Sequence, residues 1–318
     1  MSETEEEQEV KGDGRSRPIV AVIPAYNEER YIGSVVLKTR KLVDTVIVVD
    51  DGSTDLTAEI AEAAGAVVVR HEGKQGKGTA LSTGFRRIRE LDPAAVVMLD
   101  GDGQHLTEEV PQLLAPVLRG EADLVIGSRY LQKGGGVPRH RIWGHRAFNL
   151  LTRVASGVRA SDSQSGFRAF SPGALEAISF RSHGFSVESE MQFLAKEHGL
   201  RLVEVPITAD YVDKPKRPVV RHGLLVLNGV LRLIGQYRPL LFFGVPGLAL
   251  LLAGLGWGFW VVELYRRYGG LAVGYAMISV LLTILGGLAL ITGLMLHSIR
   301  GLLLELLDKD STASGRRA

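Results

Sequence analysis

Two aspartates stand one residue apart in Asp100-Gly-Asp102-Gly-Gln104, directly after the apolar run Val96-Val-Met-Leu99. Carboxylates at that spacing on a turn can share one divalent cation with diphosphate oxygens. Magnesium or manganese suits such ligands and would offset the charge that builds on a departing nucleoside diphosphate. Two more polar segments follow apolar runs, Pro24-Ala-Tyr-Asn-Glu28 and Asp50-Asp-Gly-Ser-Thr-Asp55. A helix N-cap accounts for Ser53 or Asp55 taken singly. It does not account for acidic groups after three strands of one sheet.

Several other chemistries are excluded. The 318 residues include no cysteine, so there is no disulfide framework, zinc-thiolate site, iron-sulfur cluster or thiol nucleophile. The eight histidines are scattered without metal-ligand spacing, which argues against catalytic zinc. No G-x-G-x-x-G follows the first strand, and Gly76-Lys77-Gly78 lacks the spacing of a Walker A loop. Lys and Arg number 37 against 35 Asp and Glu, a net charge of +2, which argues against a nucleic-acid partner held by a broad basic surface.

The elements that must position these residues follow from periodicity. Ile19–Pro24, Thr45–Asp50, Ala66–Arg70, Ala95–Asp100 and Asp123–Ser128 read as buried strands, with helices near 28–41, 54–64, 78–91 and 107–119. Alternation of this kind predicts an α/β fold, a mostly parallel sheet sandwiched by helices. Ligands of such sheets bind at the carboxyl ends of the strands, where the polar segments fall. Phe185, Val187, Glu188 and Glu190 read as the start of a further helix with Ser186 as N-cap, and Phe185 and Met191 as core.

The mean hydropathy of +0.13 is high for a soluble chain. Its source is two runs without Asp, Glu, Lys or Arg, Leu240–Val262 and Leu271–Ile299, each longer than the ~20 residues that cross a bilayer as a helix. Gly244, Gly247, Gly254, Gly256 and Gly258 in the first run, and Gly286, Gly287 and Gly293 in the second, allow close helix packing and leave room for a homo-oligomer. Pro246 is expected as a kink. Lys214, Lys216, Arg217, Arg221, Arg232 and Arg238 precede the first run, and only Arg266 and Arg267 lie between the two. The positive-inside rule therefore predicts a two-span membrane protein with its N-terminal domain and both termini cytoplasmic. The expected organisation is a disordered acidic tail at 1–17, an α/β domain at 18–218, an amphipathic juxtamembrane helix at 219–238, a membrane hairpin at 239–300 and a tail at 301–318.

In order along the chain, PAYNE, VVDDGSTD, GKQGKGTAL, MLDGDGQH, GSRY and SDSQSGFRAF resemble the GT-A glycosyltransferases of family 2, and among them the dolichol-phosphate mannose synthase-like polyprenyl-phosphate glycosyltransferases. The resemblance covers residues 18–235, and the two apolar runs are similar to those of two-helix members. It implies a GT-A, Rossmann-like domain and a role for each matching residue. Pro24, Ala25, Tyr26 and Glu28 would line the base and ribose pocket, and Asp50 or Asp51 would bond the base. Asp100, Asp102 and Gln104 would form the metal and diphosphate site, with Asp102 bonding the metal, and Lys77 would neutralise donor phosphate. Arg129 and Arg141, with Arg139 and Arg146, would clamp the acceptor phosphate, whose geometry arginine matches. For Arg139 and Arg146 a solvated salt bridge is an equal reading. Asp162 would lie near the reacting sugar, and Gln164–Arg168 beside it.

The implied partners are a nucleotide sugar, a polyprenyl or dolichyl phosphate and membrane lipid. A phosphate monoester with a second pKa of ~6 is mostly ionised at neutral pH and needs no dedicated base to attack the anomeric carbon. One displacement inverts that centre. GDP-mannose is the favoured donor, with UDP-glucose and UDP-GlcNAc as alternatives. A processive polysaccharide synthase is disfavoured, since no Q-x-x-R-W occurs. A catalytically inactive membrane adaptor is disfavoured by the intact D-x-D-x-Q.

Overall fold

The computed structural model describes residues 17–131, 149–150, 152–153, 156–180, 187–208, 219–270 and 273–314. The expected tail up to residue 16, Arg139, Arg141, Arg146, Phe185 and Ser186 lie outside the described residues. The chain divides into two compact units, residues 1–149 with 159–218, and residues 150–158 with 219–318.

In the first unit the strands are β1 (Ile19–Ala25), β2 (Thr45–Asp50), β3 (Val67–Arg70), β4 (Ala95–Met98), β5 (Leu124–Ser128), β6 (Arg168–Phe170) and β7 (Leu202–Pro206). The described strands form one sheet in the order β3-β2-β1-β4-β6-β5-β7. Every pairing is parallel except the two made by β6, which runs antiparallel between β4 and β5. Val20–Ile23, Val46–Val49 and Val96–Leu99 are all buried, as strands covered on both faces must be. Register brings the ends of β1, β2 and β3 level, with Ala25 opposite Asp50 and Asp50 opposite Arg70. The polar segments after β1 and β2 therefore share one edge, joined by the segment after β4, which pairs with β1.

The helices of this unit are α1 (Ile32–Thr39), α2 (Thr57–Ala63), α3 (Lys77–Arg89), α4 (Val110–Leu118), α5 (Pro172–Ala177) and α6 (Val187–Glu197). Helix α1 begins four residues later than its periodicity predicts. Asn27 takes a positive φ of 55°, and the carbonyl of Glu28 accepts from the amides of Tyr31 and Ile32, so residues 28–31 form a turn. A 3₁₀ turn at Thr107–Glu109 leads into α4, whose first turn holds Pro111 without loss of a bond.

The second unit contains α7 (Val219–Tyr237), α8 (Val245–Tyr268) and α9 (Val273–Ser314), with a π-helical turn at Leu240–Gly244 before α8. In α7, Val230, Leu233, Ile234 and Tyr237 are buried, the spacing of one helical face. Pro246 sits in the first turn of α8, directly after the π-helical turn Leu240–Gly244, where the helix is already irregular. Helix α9 continues past the expected end of its span to Ser314. A Cβ on Gly247 would lie 2.5 Å from the Leu290 nitrogen, and one on Gly286 2.3 Å from that of Leu251, so these glycines set the approach of α8 to α9. Gly256 and Gly287 have nothing within 4 Å and take no part in that packing. Ser279 Oγ also donates to the Gly254 carbonyl at 2.8 Å.

Leu240–Tyr268 and Val273–Leu303 are long and apolar enough to cross a membrane, with mean hydropathies of 2.0 and 2.3 and little of either window buried within the protein. Helices so apolar and so exposed are not the core of a soluble unit. Trp257, Trp260 and Tyr275 cluster with ring centroids 5.4 to 6.2 Å apart, near the end that carries Arg266 and Arg267. Such amphipathic rings belong at the headgroup level.

Candidate active site

The site is built on the carboxyl edge of the first unit. The turn after β1 is tied to the turn after β2: the Asn27 amide donates to Ser53 Oγ at 2.9 Å, the Thr54 amide to Asn27 Oδ1 at 2.9 Å, and the Glu28 amide to Thr57 Oγ1 at 2.8 Å. Pro24 and Ala25 are enclosed within β1, whereas Tyr26 and Glu28 are half-buried at the rim. The Lys74 ammonium lies 3.2 Å from the centroid of the Tyr26 ring.

Asp50 and Asp51 both help to shape this edge. Asp50 is fully buried, accepts from the amide and hydroxyl of Ser53, and meets Arg70 Nε at 3.3 Å. Asp51 accepts the amides of Gln75 and Gly76 at 2.8 Å each and faces His71 Nδ1 at 3.0 Å. The far ring nitrogen of His71 meets Thr83 Oγ1 at 3.1 Å. Asp51 thus folds the 73–76 loop over the end of β2. Gly52, with φ of +72°, permits this approach, since a Cβ there would stand 2.5 Å from the Gly73 backbone.

That loop opens α3 and delivers Lys77 to Asp100. Lys77 Nζ lies 2.5 Å from Asp100 Oδ1 and 2.6 Å from Glu188 Oε1 on α6. Burial works against the Lys77 ammonium, but the two carboxylates outweigh it and hold its pKa above the ordinary lysine value. Burial likewise opposes ionisation of Asp100, and Lys77 followed by His105 overcomes it, holding Asp100 well below the carboxylate range. His105 Nε2 stands 3.6 Å from Asp100 Oδ2, and the ring packs on Phe167 at 5.0 Å between centroids. Gly166 lies so close that a Cβ there would fall 2.3 Å from Asp100 Oδ2.

Asp102 is placed differently. Its Oδ1 accepts only the Gln104 amide, at 3.1 Å, among the hydrogen bonds of the described residues. Burial and then the neighbouring Asp100 raise its pKa. Gln104 itself is half-buried beside it.

On the other side of β6, Arg129 at the end of β5 forms a side-on pair with Asp162. Nε meets Oδ2 at 2.6 Å and Nη2 meets Oδ1 at 2.8 Å, with the Asp162 side chain 1% and that of Arg129 10% exposed. Arg168 is fully buried, donating to the carbonyls of Ser165 and Ser163 and to the sulfur of Met191. Its pKa falls to about 10 because burial outweighs the carboxylates of Glu188, Asp162, Asp100 and Glu204.

The structure therefore brings Lys77, Asp100 and Asp102 together, and joins Arg129 to Asp162. Three contributors escape a reading by spacing: Glu188, His71 and Glu204. What marks Glu188 is visible only in the fold: Glu188, Ser189, Glu190 and Gln192 are all buried, in a helix that a surface position would leave half wet.

An open, mostly parallel sheet whose carboxyl edge gathers two spaced aspartates, a buried lysine and an arginine–aspartate pair has the layout of an enzyme site at the strand ends. Residues 20–179 match Glycosyl transferase family 2. The chain belongs to that family and is a glycosyltransferase. It is 31% identical over 217 residues to the UDP-N-acetylglucosamine–dolichyl-phosphate N-acetylglucosaminyltransferase of Methanococcus voltae, covering 61% of this chain and 86% of that protein. It is 36% identical over 205 residues to the undecaprenyl-phosphate mannosyltransferase of Micrococcus luteus, covering 60% and 82%. Glucosyl-3-phosphoglycerate synthase of Mycobacterium tuberculosis, crystallised with Mn2+, uridine diphosphate and glucosyl-3-phosphoglycerate, superposes with a TM-score of 0.57 at 27% identity over 69% of this chain and 80% of that one.

Proposed function

We propose that this glycosyltransferase moves a sugar from a nucleotide-sugar donor to the phosphate of a polyprenyl or dolichyl phosphate, with inversion at the anomeric carbon. GDP-mannose is the favoured donor, with UDP-glucose and UDP-GlcNAc as alternatives. The observation that carries this is one chain holding both the Asp100–Asp102 edge and two apolar helices of bilayer length. The relatives named for lipid phosphates support the acceptor.

The donor set of Asp100, Asp102 and Gln104 consists of hard oxygens and suits Mg2+ or Mn2+. Among the described residues no group of three or more His, Asp or Glu could hold a metal ion by itself, so donor diphosphate oxygens would share the shell. Asp102 would be the principal protein ligand, because Lys77 already engages Asp100. When bound, the cation supplies positive charge for the departing diphosphate.

The protein's own residues do the rest. Tyr26 and Glu28 flank the nucleotide at the rim, and Lys77 fixes Asp100 so that its carboxylate stays charged. Arg129, held by Asp162, orients the acceptor phosphate, with Arg141 and then Arg139 and Arg146 as its expected partners. The ionised phosphate attacks directly, so positioning of two anions replaces a dedicated base. The α/β domain and both termini are placed on the cytoplasmic side in this reading, which the distribution of basic residues around the spans supports.

The test incubates detergent-solubilised protein with Mg2+ or Mn2+, a polyprenyl phosphate and a panel of GDP- and UDP-sugars, and follows nucleoside diphosphate release and lipid-linked product. Release that needs one donor, the lipid phosphate and the metal is expected. Binding of lipid phosphate without turnover of any donor would replace this reading with that of an inactive adaptor.

A further inference from the structure

We propose that Glu204 is a positioning residue for Arg129, acting through the turn at Ser161–Asp162. The inference rests on the reading of Arg129 as part of the acceptor-phosphate site. Glu204 lies in β7, within Leu-Val-Glu-Val-Pro, where register sets it opposite Ile126 of β5. An acidic side chain at the centre of a strand needs partners, and a single oxygen of Glu204 gathers three. Oε1 accepts from the Ser161 amide at 2.8 Å, the Ser161 hydroxyl at 2.8 Å and the Asp162 amide at 3.3 Å.

These bonds assign the hydrogens that follow. Ser161 gives its one hydroxyl proton to Glu204, so Ser128 is the donor in the 2.5 Å contact between Ser128 Oγ and Ser161 Oγ. Ser128 Oγ in turn accepts the amide of Tyr130 at 3.2 Å. The residues on both sides of Arg129 are thereby tied to the turn that carries Asp162. Asp162 then takes Arg129 at three points, the backbone amide at 3.2 Å, Nε and Nη2.

A side-on pair fixes the plane of a guanidinium and turns its Nη1 edge away from the carboxylate. Recognition of a phosphate by a planar fork depends on that orientation. Glu204 holds the backbone from which Asp162 sets the plane. Its charge matters as well as its shape, because three donors converge on one oxygen and a carboxylate is the stronger acceptor.

The test titrates farnesyl phosphate, a short polyprenyl monophosphate, into the full chain in detergent with Mn2+. The proteins are wild type, Glu204→Gln, Arg129→Ala and the double variant, each also melted thermally and titrated with whichever of UDP and GDP the wild type binds. Glu204→Gln is expected to weaken farnesyl phosphate binding about tenfold, leave nucleotide affinity unchanged, and add no further loss once Arg129 is alanine. Unchanged binding in Glu204→Gln, an equal loss with and without Arg129, or a parallel fall in nucleotide affinity each overturns the proposal. If Arg129→Ala binds farnesyl phosphate as wild type does, the acceptor reading of Arg129 fails and this inference with it. A loss in Arg129→Ala to which Glu204→Gln adds independently removes only the role of Glu204. If Glu204→Gln does not fold, Ser161→Ala removes two of the links, and a loss that vanishes in the Arg129→Ala background is expected of it, an unchanged affinity being contrary.

Discussion

Lys77 Nζ lies 2.5 Å from Asp100 Oδ1, so the residue expected to meet donor phosphate is already bound to one of the two aspartates of the metal site. The same ammonium holds Glu188, whose side chain is only 6% exposed. Lys77→Met leaves two carboxylates facing one another without their shared cation. Loss of about 3 kcal/mol of stability is expected, as for a largely buried pair deprived of one partner, with activity falling at least about a hundredfold. Chemical denaturation and turnover measure the two effects. A Lys77→Met protein of unchanged stability would contradict the pairing.

Asp102 has its pKa raised by burial and by Asp100, and this gives opposite signs for stability and for metal binding. A carboxyl whose pKa is higher folded than unfolded favours the native state while protonated and opposes it once ionised. In metal-free protein, Asp102→Asn is therefore expected to raise Tm near neutral pH, with the difference shrinking as pH falls through the carboxylate range. Mn2+ affinity and turnover are expected to collapse in the same variant. In wild type, Mn2+ titrations across pH should weaken toward acid from a higher pH than an ordinary aspartate would give.

Gly166 allows the backbone to approach Asp100, and any Cβ there would press on the carboxylate at 2.3 Å. Gly166→Ala is expected to cost about 1–3 kcal/mol and to lower metal affinity more than it lowers affinity for the acceptor phosphate. Paired titrations of Mn2+ and farnesyl phosphate distinguish displacement of Asp100 from a general loosening, which would reduce both alike.

The hairpin offers a matched pair of neighbours. Gly286 lies against the Leu251 backbone, whereas Gly287 faces open space. Gly286→Ala is expected to destabilise the detergent-solubilised protein by about 1–3 kcal/mol, and Gly287→Ala to leave its melting unchanged. Equal effects would mean that α8 and α9 pack on another face.

Strands β1 to β5 are legible to within a few residues because buried parallel strands are near-continuous apolar β-branched runs. The short strand β6 carries no such run, since it begins with the buried Arg168 and its antiparallel pairing is decided by β4 and β5. Strand β7 is short and only half-buried, and Glu204 at its centre interrupts its apolar run. The start of α1 is misplaced for a local reason, the left-handed Asn27, which periodicity does not register.

The linear order of residues by itself determined which edge carries chemistry, which family the chain belongs to and which two helices are apolar enough for a membrane. Those features are local: apolar runs, acidic turns and charge-free stretches are properties of consecutive residues. Tertiary structure alone decided that Lys77 serves Asp100 and Glu188, that Asp51 holds a loop through His71 and two amides, and that Arg129 is committed to Asp162. Each of these joins groups from 20 to 111 positions apart. An ion pair depends on distance and burial in space, and no spacing along the chain encodes either until the sheet has assembled.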